Sequence, residues 1–307
     1  MRSPLDMLRR WRAHRNELHY LRTLAARRHL RVVVRAHTIA VRNGEKEIRV
    51  SRANQVYAID LINNFDYYFD VVVPRSEGER EVVDYSRPAK HTMVADRLPF
   101  WFPQLAESME TTELYLRYAG LEPGDVVLDL GAYAGGATYH FSRAVGARGH
   151  VYAFEPDPGS YECLVRNVEL HSMTNVTTEP RGVWSYTGRV AFQAEGNMGS
   201  AVVEAAARTS DTERSIDVVS LSDYCAEKRI SRVDFVKLDV EGSEAAILRS
   251  AGDFITTFRP PMVIEVHYVR GERTDDEVTR TLQRHGYRVE VVEQAGLPLP
   301  LLAATPA

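Results

Sequence analysis

Short apolar runs alternate with amphipathic stretches through residues 107–307, and few folds accommodate that pattern. Such runs are typical of strands that are buried on both faces, and the stretches between them have helical spacing. The runs include Val126–Leu130, His150–Glu155, Asp234–Asp239 and Met262–His267. Strands that alternate with helices form a parallel sheet covered by helices. The sequence therefore predicts an α/β domain over residues 107–307.

Residues 1–106 lack this alternation and are predicted to form an N-terminal helix and an α+β extension. Residues 4–29 have helical character. Two segments with alternating hydrophobicity, Arg31–Arg42 and Lys46–Ser51, then flank Asn43-Gly44. Asn-Gly between alternating segments is typical of a β-hairpin, because both turn residues accept positive φ. We expect a domain boundary after residue 106.

Charge is distributed unevenly along the chain. The net charge is −4, yet residues 1–35 hold ten arginines against only Asp6 and Glu17. A basic helix can lie on anionic lipid, bind nucleic acid, act as a transit peptide or pack on an acidic body. The acidic remainder and the lack of repeated basic and aromatic residues argue against nucleic acid as a partner. Packing on the chain's own acidic part is the favoured interpretation.

The cysteine count and the hydropathy bear on the compartment. Two cysteines, Cys163 and Cys225, cannot form a disulfide framework in a chain of 307 residues, which fits a reducing compartment. No apolar run approaches the roughly 18–20 residues that a transmembrane helix needs, and no signal-peptide segment follows the N-terminus. We therefore expect a cytoplasmic protein with no transmembrane segment.

A glycine-rich turn follows the first predicted strand of the α/β domain. Gly131, Ala132 and Gly135 come soon after Asp129, and a helix is predicted to follow. Glycine lets backbone amides approach a ligand closely at a helix N-terminus. Glu155 ends the second predicted strand, where an acidic side chain can accept hydrogen bonds from ribose hydroxyls. Together these residues predict an adenosine-containing ligand.

The spacing of the glycines separates two kinds of ligand. A dinucleotide fingerprint needs Gly-x-Gly-x-x-Gly, and Tyr133 occupies its second glycine position, where a side chain crowds a pyrophosphate. The spacing of Asp129, Gly131 and Gly135 instead suits a ligand without phosphate, with Asp129 facing an ammonium group. S-adenosylmethionine fits that description. An NAD-dependent oxidoreductase and a non-catalytic binding module are the disfavoured alternatives.

A second group of polar residues lies on the later strands. Lys237 and Asp239 share one face of their strand because they are two residues apart, and Glu265 and His267 do so on the next. Strand interiors of such a sheet seldom hold a lysine, so Lys237 needs a buried partner. We expect Glu265 or His267 to provide it.

Together these motifs resemble the FkbM family. The matching residues are Asp129-Leu130-Gly131-Ala132, Phe154-Glu155-Pro156, Lys237 through Glu244, and Pro261 with Glu265-Val266-His267. The resemblance implies a class I S-adenosylmethionine-dependent methyltransferase with a Rossmann-like seven-stranded sheet whose last strand is antiparallel. It also implies transfer to a hydroxyl of a small metabolite, a sugar or a polyketide-type product. N-methylation of a similar scaffold is the alternative.

The same resemblance assigns roles to individual residues. Gly131, Ala132 and Gly135 are implied to line the methionine end of the cofactor, and Glu155 to hold its ribose. Asp239 is implied to lie beside the sulfonium. The implied cofactor-binding residues also include an acidic residue in the preceding helix, Glu113. A solvated helix face is the alternative for that residue.

The sequence leaves three interpretations of the catalytic residues open. In the first, Asp239 and His267 act together as the general base that takes the proton of the acceptor hydroxyl. In the second, Asp239, Glu265 and His267 hold a divalent ion such as magnesium. The third possibility is a structural network of Lys237, Glu265 and His267. The partner is a small-molecule acceptor, and a homodimer is left open.

Two further acids follow Asp239 in the same block. Glu241 and Glu244 lie where the strand turns into the next helix. Acidic side chains in the first turn of a helix are favoured by the helix dipole. We therefore expect both residues to stabilise the helix, with substrate contact as the less favoured role.

Overall fold

A computed structural model of the chain describes residues 18–54, 57–107, 109–193, 201–203, 213–269, 272–294 and 299–307. The chain divides into two compact units that meet in the sequence at residues 108 and 109. Of the predicted N-terminal helix, residues 4–17 lie outside the described part, and residues 18–27 are helical. No helix in the described ranges has the length and apolar character needed to cross a membrane.

The first unit is a small α+β structure. Its elements are α1 (18–27), β1 (Arg31–Val34), β2 (Thr38–Asn43), β3 (Lys46–Ser51), α2 (Tyr57–Asn63), α3 (Phe65–Asp70), β4 (Arg75–Glu77), β5 (Arg80–Tyr85), β6 (Ala89–Thr92) and β7 (Pro99–Phe102). Five strands form one sheet in the order β1-β2-β3-β5-β4, and β6 pairs with β7. The predicted hairpin is present, since β2 and β3 are antiparallel and Gly44 has φ of 58°. The single segment predicted over Arg31–Arg42 is instead two antiparallel strands, β1 and β2.

The second unit contains the predicted α/β domain. Its helices are α4 (Met109–Ala119), α5 (Gly136–Val145), α6 (Pro158–Leu170), α7 (Leu221–Lys228), α8 (Glu244–Ser250), α9 (Gly252–Phe258) and α10 (Asp275–Arg284). Its strands are β8 (Val126–Leu130), β9 (His150–Phe154), β10 (Val176–Glu179), β11 (Gly182–Val183), β12 (Gly188–Gln193), β13 (Ala201–Val203), β14 (Glu213–Val219), β15 (Phe235–Leu238), β16 (Met262–Glu265), β17 (Tyr268–Val269), β18 (Glu272–Arg273), β19 (Tyr287–Val292) and β20 (Leu301–Pro306).

Seven of these strands form the main sheet, in the order β10-β9-β8-β15-β16-β20-β19. All neighbours are parallel except at β20, which is antiparallel to both β16 and β19. The expected seven-stranded sheet with an antiparallel last strand is therefore confirmed. Successive residues of β8 enter separate core clusters, Val127 on one face and Leu128 on the other. That alternation explains why its strand reads as a continuous apolar run.

The strand order decides where a ligand can bind. The first strand of this sheet along the chain is β8, which lies in the middle of the sheet. The chain then moves outward to β9 and β10 and returns to the other side of β8 with β15 and β16. Strand order therefore reverses beside β8, and open α/β sheets bind ligands at the carboxyl ends of strands at such a reversal. The glycine-rich turn follows β8, and the second polar group follows β15 and β16.

Candidate active site

The turn after β8 fits closely against the end of β15. Gly131 has φ of 80°, and a β-carbon on it would lie 1.7 Å from the carbonyl oxygen of Asp239. Gly135 has φ of 86°, and a β-carbon there would lie 2.6 Å from Cδ1 of Leu164. The position of Gly131 therefore requires glycine for space as well as for backbone conformation, whereas at Gly135 the backbone conformation is the stronger requirement, because the end of the Leu164 side chain can shift.

The backbone amides of this turn donate to protein groups. The N–H groups of Gly131 and Ala132 donate to the carbonyl of Phe154 at 3.0 and 2.8 Å. The N–H of Tyr133, which has φ of 49°, donates to Oε2 of Glu155 at 2.9 Å. A pyrophosphate at a glycine-rich turn needs amides of this kind as donors. The turn is therefore better suited to a ligand without phosphate, as Tyr133 predicts.

Glu155 lies directly after β9 and is buried. Its Oε1 accepts from the N–H of Asp157 at 2.8 Å, and its Oε2 accepts from Tyr133. Burial and the charge of Asp157 raise the pKa of Glu155 to about 8, although the two backbone hydrogen bonds favour the ionised form. Its position at the tip of the second strand is the predicted one, and its contact with a ribose stays a prediction.

Lys237 joins the turn to the later strands. Its Nζ donates to the carbonyl of Gly131 at 2.6 Å and lies 3.2 Å from Oδ1 of Asp129 and 3.5 Å from Oδ2 of Asp239. The side chain is only 4% exposed. The prediction that Glu265 or His267 is the partner of Lys237 was wrong, because the parallel register places Lys237 directly opposite Asp129 on β8.

Asp129 is buried beneath the turn. Besides its ion pair with Lys237, it accepts a hydrogen bond from the hydroxyl of Thr138 at 2.5 Å. The ammonium group that it faces in this structure is therefore that of Lys237 rather than that of a ligand. A direct cofactor contact from Asp129 stays a prediction, whereas its support of Lys237 is observed.

Three carboxylates surround the ring of His267. Nδ1 lies 2.7 Å from Oε1 of Glu244, and Nε2 lies 3.6 Å from Oδ1 of Asp239 and 3.5 Å from Oε2 of Glu241. Burial favours the neutral ring, but the hydrogen bond to Glu244 and the nearby negative charges outweigh it and raise the pKa of His267 to about 10. The predicted catalytic pair, Asp239 and His267, is thus brought together.

Glu241 and Glu244 are more central to the site than the sequence predicts. Glu241 has φ of 51° and Gly242 has φ of 95°, so the chain turns sharply after β15 and brings both carboxylates back to His267. Burial raises the pKa of Glu241 above its ordinary value. The available signal was the spacing Asp-x-Glu-Gly-x-Glu, whose central glycine permits such a turn.

Glu265 ends β16 but faces a different partner. Its Oε2 accepts a hydrogen bond from the hydroxyl of Tyr115 on α4 at 3.0 Å. Burial and the charge of Asp239 raise the pKa of Glu265 to about 7. The expected magnesium ligands were Asp239, Glu265 and His267, but within the described residues the ligand atoms that lie within 4.8 Å of one another belong to Asp239, Glu241 and His267.

Glu113 lies on the exposed side of α4, whereas Tyr115, two residues later, is buried and contacts Glu265. The role of Glu113 in cofactor binding therefore stays a prediction.

Acidic side chains outnumber basic ones at this edge of the sheet. The ionisable side chains described above, apart from Glu155, are five carboxyl groups and two basic groups: Asp129, Asp239, Glu241, Glu244, Glu265, Lys237 and His267. An excess of carboxylates attracts a cationic ligand and repels an anionic one. The sulfonium of S-adenosylmethionine fits this preference better than the pyrophosphate of NAD, although the raised pKa values of Glu241 and Glu265 reduce the excess of negative charge.

Comparisons with known proteins identify similar methyltransferases. The model of the methyltransferase FkbM domain matches residues 129–289. The 31-O-demethyl-FK506 methyltransferase FkbM of Streptomyces tacrolimicus is 31% identical over 228 residues, which cover 64% of this chain and 83% of that protein. Methyltransferase 1 of Beauveria bassiana is 26% identical over 165 residues, which cover 48% of this chain and 66% of that protein.

Solved structures include one relative of the same description. The chain is similar to the crystal structure of methyltransferase FkbM from Methylobacillus flagellatus, with 18% identity and a TM-score of 0.45. That match covers 63% of this chain and spans half of the length of the solved one.

Proposed function

We propose that this chain, which belongs to the FkbM methyltransferase family, transfers a methyl group from S-adenosylmethionine to a hydroxyl oxygen of a small metabolite. Membership of the family makes it an S-adenosylmethionine-dependent methyltransferase. The choice of an oxygen acceptor is supported by the name of the Streptomyces relative, which specifies an O-demethyl substrate. A sugar or a polyketide-type product is the proposed class of acceptor.

The observation that carries the proposal is the convergence of two carboxylate oxygens and one imidazole nitrogen at the ends of β15 and β16. Nε2 of His267 lies 3.6 Å from Asp239 and 3.5 Å from Glu241, and these separations exceed hydrogen-bond length. The side chains of Asp239 and Glu241 are 19% and 30% exposed, so an acceptor can approach them. The proton of a hydroxyl at this point would lie within reach of a carboxylate.

Residues of the chain also fit the cofactor. The glycine turn lies at the carboxyl end of β8, and the acidic excess suits a sulfonium cation. When bound, S-adenosylmethionine supplies an activated methyl group. We propose that Gly131, Ala132 and Gly135 line its methionine end and that Glu155 holds its ribose.

Asp239 is the proposed proton acceptor. An alcohol becomes more acidic as its oxygen gains a methyl group, so a carboxylate is a sufficient base once that bond begins to form. The pKa of about 10 means that His267 is protonated at neutral pH. It therefore supplies a positive charge beside Asp239 before the proton arrives.

The proposal takes His267, rather than magnesium, as the positive charge next to Asp239. We expect activity to be unchanged by EDTA. Activity lost in EDTA and restored by magnesium chloride would instead assign the charge to a metal ion.

The test is methyl transfer from isotopically labelled S-adenosylmethionine to a panel of hydroxylated compounds and their amine counterparts, followed by mass spectrometry. The panel includes 31-O-demethyl-FK506, monosaccharides and macrolide alcohols. We expect an O-methyl product from a hydroxylated member. Transfer to an amine, with none to the matched alcohol, would overturn the proposal in favour of N-methylation. A cytoplasmic location and a homodimer stay predictions.

A further inference from the structure

Glu244 is a buried carboxylate at the start of α8 that does not face the acceptor side of the site. Its side chain is 0% exposed. The same oxygen, Oε1, lies 2.7 Å from Nδ1 of His267 and accepts from the backbone N–H of Gly242 at 3.0 Å. One oxygen atom thus contacts both the ring and the turn that carries Glu241.

This contact fixes the direction of the imidazole ring. When Nδ1–H donates to Glu244, the opposite ring nitrogen, Nε2, is directed at Asp239 and Glu241. The backbone of His267 is held as well, because its carbonyl accepts from the N–H of Thr274 at 3.0 Å. Rotation of the ring would break the hydrogen bond and leave the Glu244 carboxylate buried without that partner.

The contact with Gly242 acts on the turn. Glu241 has a left-handed backbone conformation, which is unfavourable for a residue other than glycine. The hydrogen bond from the next amide to Glu244 holds the turn in that conformation. Glu244 therefore sets the relative position of His267 and Glu241.

We infer that Glu244 is a positioning residue for methyl transfer, which acts through His267 and the turn at Gly242 without touching the acceptor or the cofactor. This inference rests on the function proposed above. A carboxylate that orients a histidine through its second ring nitrogen typically changes the rate of the reaction by 10- to 100-fold or more. The binding of the cofactor, which depends on the turn after β8, is not expected to depend on Glu244.

The decisive variant is Glu244→Gln, which keeps the size of the side chain and removes its charge. We expect kcat to fall about 10- to 100-fold, with KM for S-adenosylmethionine and the affinity for S-adenosylhomocysteine within about twofold of wild type. The matched control is Glu179→Gln, which removes a buried carboxylate paired with Arg181 and should leave kcat unchanged. An unchanged kcat in Glu244→Gln, with kcat lowered in His267→Gln, would overturn the inference.

A second measurement needs no acceptor. A ring proton held between Nδ1 of His267 and a carboxylate gives a downfield, slowly exchanging proton resonance, which is assigned by its loss in His267→Gln. We expect that resonance in the wild-type spectrum. It should be lost in Glu244→Asp, because the carboxylate of the shorter side chain is set back by one methylene, and it should shift upfield in Glu244→Gln. Its absence from the wild-type spectrum, or its persistence unchanged in Glu244→Asp, would overturn the inference even if Glu244→Gln does not fold.

The two measurements also separate this inference from the proposed function. If wild type methylates no hydroxyl while the ring resonance follows Glu244 as expected, the proposed function fails and the orientation of His267 stands. If wild type methylates a hydroxyl and Glu244→Gln does so at the same rate, the proposed function stands and the positioning role fails.

Discussion

The carbonyl oxygen of Asp239 lies 1.7 Å from the point that a β-carbon on Gly131 would occupy. The turn after β8 and the end of β15 are thus in direct contact through their backbones. A residue proposed to line the cofactor and the residue proposed to accept the proton are therefore fixed against each other.

Gly131→Ala is expected to lower the free energy of unfolding by about 2–4 kcal/mol, because the cost of backbone strain and the cost of overpacking against Asp239 are both incurred. Urea denaturation measures the change. The control is Gly120→Ala, since Gly120 also has positive φ but would place a β-carbon in open space. That variant should cost about 1 kcal/mol. Equal losses in the two variants would show that the contact with Asp239 is unimportant.

Lys237→Met should destabilise the protein by about 3–5 kcal/mol, because it leaves the carboxylate of Asp129 buried without its cation. Adding Asp129→Asn should recover part of the loss, as measured by a double-mutant cycle in urea. The control is Lys228→Met, which breaks a more exposed pair with Glu227 and should cost under about 1 kcal/mol. A similar cost for both lysines would contradict a buried charge network.

Glu155 makes stability depend on pH. Its pKa rises from 4.5 to about 8 on folding, so the folded state binds the proton more tightly. The stabilising contribution is fully present below about pH 4.5 and is lost as the pH rises through about 8. The free energy of unfolding of wild type, relative to Glu155→Gln, should therefore fall across this range. A difference that does not change with pH would show that burial does not raise this pKa.

The same residue should control cofactor binding. Calorimetric titration with S-adenosylhomocysteine is expected to show binding to wild type and none to Glu155→Ala, because the variant loses the proposed ribose contact and the hydrogen bond from Tyr133. NAD should bind to neither protein. Unchanged affinity in the variant would place the ribose elsewhere.

Asp239→Asn tests proton transfer. The amide cannot accept the hydroxyl proton, so kcat should fall about 10²–10⁴-fold, while S-adenosylhomocysteine still binds. The surface variant Asp253→Asn, in the first turn of α9, serves as the control and should retain full activity. Retention of wild-type kcat by Asp239→Asn would remove it as the base.

Much of this site could be predicted because local sequence determines it. The glycine turn, the acid at the tip of β9 and the period-two pair Lys237 and Asp239 each depend on residues close in sequence. The partner of Lys237 could not be predicted in this way, because strand register decides which side chains face each other across the sheet. The sequence pattern predicts that Lys237 is buried, whereas the register identifies Asp129 as its partner.

The roles of Glu241 and Glu244 were missed for another reason. Their spacing is also that of ordinary acids at the start of a helix, and the dipole argument explains them without any site. The left-handed turn at Glu241 and Gly242 distinguishes them from ordinary acids at a helix start. The residue types in the sequence permit such a turn but do not require it. The same applies to Glu265, whose partner Tyr115 comes from a helix 150 residues away.

The hydrogen bond from Lys237 to Gly131 joins residues 106 positions apart in the chain. During synthesis, the glycine turn and β9 leave the ribosome long before β15, and they lack this anchor until β15 pairs with β8. Closing so long a loop has an entropic cost that a local contact avoids. We therefore expect a nascent chain that ends before β15 to bind no S-adenosylhomocysteine, so cofactor binding reports the pairing of β15 with β8.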